Sequence, residues 1–355
     1  MPLVNTALTL KDLPPAPEGK TGWPWTEQSE PLPDKMADGS DWPRISIVTP
    51  SYNQGQFIEE TIRSVLLQGY PNLEYIIIDG SSDDNSVEVI KKYESWLAHW
   101  VSEPDNGQSD ALNKGFHYSS GTISAYLNSD DLYFPNVFWD VADVFLKKTD
   151  IKWLGSIVLV GENINTSSIW YPSSGNLPLF VANQLVAQPG VFWISEVLPK
   201  PYFDVNRQHS MDHKFFAEIY LKFGPPFLLS RKTSFYRYHK DSKTCSPDQS
   251  FMIGEKKKLS KEISDQCDEV TAKKIHQELT RQLAGIEIHK LFNKDSLSIR
   301  AAWHQALHAS LIAVNTPFLF RDRVFLSVSC KLWLRLIRNV YKTFVGASSN
   351  INKGI

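Results

Sequence analysis

Between residues 44 and 150 the hydrophobic period of this sequence switches repeatedly, and that alternation limits the fold more than any other feature. ISIVTP carries the β-branched content of a strand, and FIEETIRSVLLQG places apolar residues at helical spacing. LEYIIIDG then reads as a strand, SVEVIKKYESWL as a helix and HWVSEPD as a short strand. SDALNKGFHYSS reads as a helix, and TISAYLNSDD as a strand ending in acids. The Ser, Asp and Asn cluster at 81–86 suits the N-cap of the second helix. Strands that alternate with helices pair in parallel, in a sheet covered on both faces. The run IIID lacks polar alternation, as a central strand should.

In such sheets a ligand sits beyond the carboxyl ends of the strands. The polar residues there are Pro50 to Asn53, Asp79, the stretch Glu103 to Asp110, and Asn128 to Asp131. The first turn, SYNQGQF, is not the glycine fingerprint of a dinucleotide-binding dehydrogenase. It also lacks the glycine-rich basic loop of a sugar nucleotidyltransferase. The rim is acidic instead. Asp79 has the chemistry to accept from a base N–H or a ribose hydroxyl, and Asp130 and Asp131 offer hard oxygen ligands to a divalent metal. Taken singly, each acid reads more readily as a helix cap or turn former, and the case rests on several such strand ends in order.

The remaining sequence sets bounds. A chain of 355 residues with net charge −2 has no general attraction to nucleic acid. Cys245, Cys267 and Cys330 are scattered, without disulfide or zinc spacing, which fits a reducing compartment. No basic segment followed by an apolar run opens the chain, and no apolar run reaches about 18 residues. The expected location is cytoplasmic, with a peripheral position at the inner face of the membrane as an option. Residues 1–43 are proline-rich and aperiodic, so an extended arm is expected, with Trp23, Trp25 and Trp42 as candidate pins.

The segments VTPSYNQGQFIEETIRSVLLQGYPNLEYIIIDGSSDD, SEPDNGQSDALNKGF and YLNSDD, in that order, resemble the nucleotide-sugar half of family-2 glycosyltransferases. The resemblance is close over residues 44–135 and looser to about residue 240. It implies a GT-A-type α/β fold: a Rossmann-like, mostly parallel mixed sheet flanked by helices. The expected divisions are the arm 1–43, a GT-A domain 44–248 with a nucleotide-sugar half (44–135) and an acceptor half (136–248), and a helical region 249–355. By resemblance, Pro50, Ser51 and Tyr52 flank the base of a nucleotide, usually uridine, and Asn53 fixes the turn. Asp79 binds base or ribose. Gly107, Asp110 and Lys114 shape the far side of the nucleotide and the diphosphate. The family's Asp-x-Asp metal motif reads Asn128-Ser129-Asp130 here, followed by Asp131. Asn128 and Ser129 are then nucleotide-sugar contacts. The metal, Mn or Mg, falls to Asp130, with Asp131 second. Ser81 stands where family members often carry Gly.

The second half should supply the acceptor site and the base. QPGVFWISEVL at 188–198 reads as a strand and the start of a helix, and RQHSMDHKFFAEIYLKFG as a helix ending at Gly224. Unaided, Asp212 at its start reads as an acid favouring the helix dipole. The resemblance makes it the general base, with His213 as rival. One base and no enzyme nucleophile imply a single, inverting displacement from a nucleotide-sugar donor, expected to be UDP-linked, to a glycan or lipid-linked acceptor. His239, Lys240 and Lys243 are placed to meet the diphosphate, or His239 to complete the metal site, or the loop is simply solvated. Residues 251–292 and 298–314 read as helices. Residues 324–344 form a basic amphipathic pattern suited either to an anionic membrane surface or to internal packing. A non-catalytic nucleotide- or sugar-binding protein on the same fold is the alternative that Asn128 leaves open.

Overall fold

A computed structural model of the chain describes residues 6–207, 209–240, 242 and 249–293. Its order begins β1 (Ile45–Ser51), α1 (Ile58–Leu66), β2 (Leu73–Asp79), α2 (Ser86–Lys92), β3 (His99–Ser102), α3 (Gln108–Tyr118) and β4 (Ile123–Tyr126). These are the elements the alternating period predicts. β1 lies between β2 and β4, and β2 pairs with β3, all in parallel. β1, β2 and β4 are buried along their whole length, so a strand here can be apolar at every second position and still carry Ser46 and Glu74 inside. Those two are hydrogen-bonded to each other at 2.5 Å, and Glu74 also takes Ser120 N–H and Oγ. α3 packs closely because Gly115 has no Cβ; one there would collide with Val48 of β1.

The second half turns the sheet antiparallel. It comprises β5 (Leu132–Tyr133), α4 (Val137–Lys147), β6 (Trp153–Gly161), β7 (Ser168–Trp170), α5 (Leu177–Ala182), β8 (Val191–Ile194), α6 (Met211–Phe223) and β9 (Phe227–Arg237). The nine-stranded sheet runs β3-β2-β1-β4-β8-β6-β9-β5, with β7 on β6. β8 is antiparallel to both β4 and β6, while β6 and β9 are parallel. The helix start expected after β8 does not form. Ser195 to Leu198 make turns instead, because Pro199 and Pro201 follow and a residue before proline is driven out of the helical region.

An aromatic cluster holds the two halves together. Phe116 of α3 meets Trp193 of β8 at 5.6 Å and Tyr202 at 5.1 Å. Phe215 of α6 meets Trp193, Tyr202 and Phe203 at 5.0, 5.2 and 5.1 Å. α6 is thereby fixed against the nucleotide half, each ring pair adding about 0.5–1.5 kcal/mol to the burial itself.

The arm is pinned through its tryptophans and one arginine. Trp23 Nε1 donates to Tyr133 O at 2.8 Å, and Trp25 is buried. Arg63 of α1 has no appreciable exposure and donates to Pro14 O, Pro24 O and Trp25 O, and to the Tyr93 hydroxyl. Tyr93 donates in turn to Glu59, which supplies the counter-charge. Helix α7 (Gln249–Ser264) crosses the end of this compact unit, which closes at Leu259; a second unit begins at Ser260 and contains α8 (Glu269–Asn293). Among the described residues no helix is long and apolar enough to cross a membrane. The candidate helices 298–314 and 324–344, and Lys243, lie outside the described residues.

Candidate active site

The carboxyl ends of β1, β2 and β3 are tied into one knot. Asp79 is fully buried and accepts from Ser51 Oγ (3.0 Å), Ser82 Oγ (2.6 Å), Ser82 N–H (2.9 Å) and Ser102 Oγ (2.7 Å). A carboxylate with four donors has little capacity left for a base or ribose. In this structure Asp79 ties the ends of β1, β2 and β3 to the loop at Ser82. Asn53, at φ 52, donates its N–H to Ser82 Oγ and accepts from Asp83 N–H. Asn tolerates this left-handed conformation better than most residues. Ser81 is also left-handed, at φ 65, the conformation for which glycine is the easier residue. Pro50 and Ser51 are buried, while Tyr52 is 63% exposed. Tyr52 is the exposed aromatic side chain of this turn.

The next rim segment is likewise satisfied from within. Gly107, at φ 99, opens α3 and donates its N–H to Asp105. Asp110 accepts from Asn106 N–H and Nδ2. Lys114 is 2.9 Å from Glu103 and 3.8 Å from Asp110, and also donates to Pro104 O. The hydrogen bond to Glu103 raises its pKa above the ordinary lysine range. Two acids therefore compete with any diphosphate for this ammonium.

The acidic segment after β4 divides sharply. Asn128 Oδ1 accepts from Gln108 (2.7 Å), and Nδ2 donates to Gln188 (3.3 Å) and more weakly to Asp131 (3.4 Å). Ser129 is buried, with its carbonyl taking Thr61 Oγ1. Asp131 is fully buried and accepts the Arg237 N–H at 2.9 Å. Burial, then the neighbouring Asp130 charge, push its pKa well up. Asp131 therefore lies in the interior of this corner. Asp130 instead reaches the rim, where Oδ2 lies 2.9 Å from His239 Nε2.

Sequence reasoning missed Arg237, which builds this corner. Its Nε donates to Asp130 O, Nη2 meets Glu60 at 2.6 Å, and its plane lies over Phe57 at 5.0 Å. The His239 ring packs on the same Phe57, at 4.9 Å. An arginine after a strand has no spacing signal, so only the fold reveals it. Among the described residues no group of three or more His, Cys, Asp or Glu could by itself hold a metal. The Asp130–His239 pair offers one carboxylate oxygen and one imidazole nitrogen, and His239 Nδ1 is buried without a partner among the described residues. A pair of this kind fits a divalent ion that takes its remaining ligands from substrate phosphates and water.

Across the site, Asp212 stands in the first turn of α6. Its Oδ2 accepts from Gln184 Nε2 at 2.7 Å, and Oδ1 from its neighbour's N–H at 2.8 Å. Burial raises its pKa above the ordinary carboxylate range, although both hydrogen bonds oppose the shift. The start of α6 is held from α7, where Glu255 accepts from His209 N–H (3.1 Å) and Ser210 N–H (2.7 Å). His213 is buried, with Nε2 2.8 Å from Phe180 O, and burial pushes its pKa down to about 4. It faces the core, and so is no rival as a base. Gln184 and Gln188 were not expected; glutamines in a loop carry no periodicity to flag them.

Comparison with known proteins points to one family. Residues 46–171 match the model of glycosyl transferase family 2. A putative teichuronic acid biosynthesis glycosyltransferase of Bacillus subtilis, TuaG, is 38% identical over 96 residues, covering 26% of this chain and 38% of that protein. The Escherichia coli protein WfgD, named a UDP-Glc:alpha-D-GlcNAc-diphosphoundecaprenol beta-1,3-glucosyltransferase, is 28% identical over 157 residues, 44% of this chain and 60% of that one. An uncharacterized Mycobacterium tuberculosis glycosyltransferase is 38% identical over 92 residues, 26% of this chain and 35% of its own length. The match thus spans only about a third of that relative's length. In fold, the S. aureus protein TarS (residues 1–349) superposes with a TM-score of 0.53 at 16% identity, over 84% of this chain and 92% of that one. Over residues 46–171 this chain is thus similar to glycosyl transferase family 2, and its described part has the GT-A-type fold that TarS also shows.

Proposed function

We propose that the protein transfers a glycosyl group from a UDP-linked sugar to an acceptor hydroxyl in glycan or polysaccharide synthesis, with inversion. The observation that carries this reading is Asp212, a carboxylate with a raised pKa held by Gln184 at the start of α6, while the neighbouring imidazole is turned into the core. In the displacement, the acceptor oxygen bonds to the anomeric carbon as the bond from that carbon to the diphosphate oxygen breaks. Asp212 takes the hydroxyl proton, and the nucleoside diphosphate leaves with the bonding pair. A raised pKa makes a carboxylate the stronger proton acceptor.

Tyr52 offers its open ring to the uracil, in a turn made rigid by Asp79, Asn53 and Ser82. Asn128 remains a candidate ribose contact. Asp130 and His239 would hold a divalent metal, Mn or Mg. Such an ion would supply positive charge to the leaving diphosphate. The printed name of the E. coli relative supports the choice of a uridine nucleotide and of a lipid-linked acceptor. The test is release of UDP from a panel of UDP-sugars, with and without divalent metal. Metal-dependent release is expected. Tight binding of UDP-sugars with no turnover across sugars and acceptors would favour the non-catalytic reading.

A further inference from the structure

We propose that Trp170, Tyr236 and Tyr238 form a subsite that stacks a sugar ring of the acceptor beside Asp212; this rests on the transferase reading above. The three side chains come from two strands bordering β6. Trp170 of β7 lies opposite Val158, and Tyr236 of β9 opposite Val160. Tyr238 follows where its N–H reaches Gly161 O at 2.9 Å. All three pack on a buried floor of Val158, Val160 and Ala187, and each remains only half-buried. The Tyr236 and Tyr238 rings meet at 5.2 Å and 70°. Alternation along β9 sends Phe235 to the opposite side, into a separate cluster with Leu132 and Leu159.

The position of this face points to the acceptor. Ala187, in its floor, lies on the loop whose Gln184 holds Asp212 and whose Gln188 reaches Asn128 and Tyr126 O. At its other end, β9 runs directly into His239. The aromatic face therefore adjoins both the acid that would take the acceptor proton and the corner that would hold the donor diphosphate.

Its chemistry selects a sugar ring. A pyranose presents an apolar C–H face and a polar edge, and the electron-rich face of an aromatic ring attracts the former.

The test uses the full chain with UDP present. Methyl glycosides of glucose, N-acetylglucosamine and galactose are compared with ribitol 5-phosphate and glycerol phosphate by saturation-transfer NMR. At least one glycoside should bind, with saturation strongest on its C–H face. Trp170→Ala should weaken it about tenfold or more, whereas Trp170→Phe should retain most of the affinity. UDP affinity by calorimetry should not change in either variant. Tyr238→Ala provides a second removal if Trp170→Ala does not fold. A wild type that binds UDP and no glycoside, or only the polyol phosphates, overturns the subsite. So does unchanged glycoside affinity in both alanine variants. A wild type that does not bind UDP overturns the donor site and this inference with it.

Discussion

The two sides of the site are built differently. On the nucleotide side, the charged residues mostly hold one another: Asp79 has four donors, Lys114 sits between Glu103 and Asp110, and Asp131 is sealed under Arg237. On the acceptor side, Asp212 has a single side-chain donor, Gln184, and half-buried aromatic rings stand nearby. A side that binds a rigid nucleotide gains from fixed loops, since ordering them beforehand reduces the entropy lost on binding. A side that must take up a proton needs a carboxylate with spare acceptor capacity. An acid at a strand end is therefore not equivalent to a reactive acid, and the number of donors it already holds separates the two.

Substitutions on opposite sides should fail in different ways. The largest effect is expected from Asp212→Asn, which keeps shape but cannot take the proton. Turnover should fall about 10²–10⁴-fold, with donor affinity unchanged by calorimetry. His213→Gln should leave turnover far less affected, and a dead His213→Gln with donor binding intact would move the base. Next comes Arg63→Met, behind the nucleotide side. It strips partners from three carbonyls and a hydroxyl, and should cost about 2–5 kcal/mol by denaturant unfolding. Loss of stability below about 1 kcal/mol would show that the arm is not held there.

Asp79→Asn tests the knot itself. It should lower stability by about 1–3 kcal/mol and weaken UDP binding with or without metal. A stable variant that loses only UDP affinity would return Asp79 to direct contact. Gln184→Leu gives a smaller effect of defined sign. The Gln184 hydrogen bond favours the ionised carboxylate against the burial that raises its pKa. Its removal should shift the acidic limb of the rate profile to higher pH, and a shift to lower pH would refute the assignment. The smallest effect is expected from Lys114→Gln. Its ion pairs are partly exposed and contribute about 0–1 kcal/mol, and UDP affinity should barely change. A drop of tenfold or more, about 1.4 kcal/mol, would place this ammonium on the diphosphate.

The same contrast explains what could be seen before the fold was known. Period and turn chemistry predict every element from β1 to β4, because each is a local pattern of four to thirteen or so residues. The rim follows, since parallel strands end on one side. Burial of Asp79 and Asp131 does not follow, because the donors come from residues far along the chain, such as Ser102 and Arg237. The helix start expected at Ser195 misreads a local signal, since Pro199 and Pro201 stand only a few residues on. Gln184, Gln188 and the Trp170–Tyr236–Tyr238 face are assembled across strands, and only strand register brings them together.

The central claim is a single displacement across the two sides, and the product's anomeric configuration tests it most directly. An α-linked UDP-sugar is incubated with the wild-type chain and divalent metal, and the newly released sugar is followed by proton NMR before mutarotation. Transfer to water with Asp212 as the base should give the β-anomer first. Initial formation of the α-anomer would contradict the account, because retention needs either a second displacement or a front-side path that this arrangement of one base does not supply.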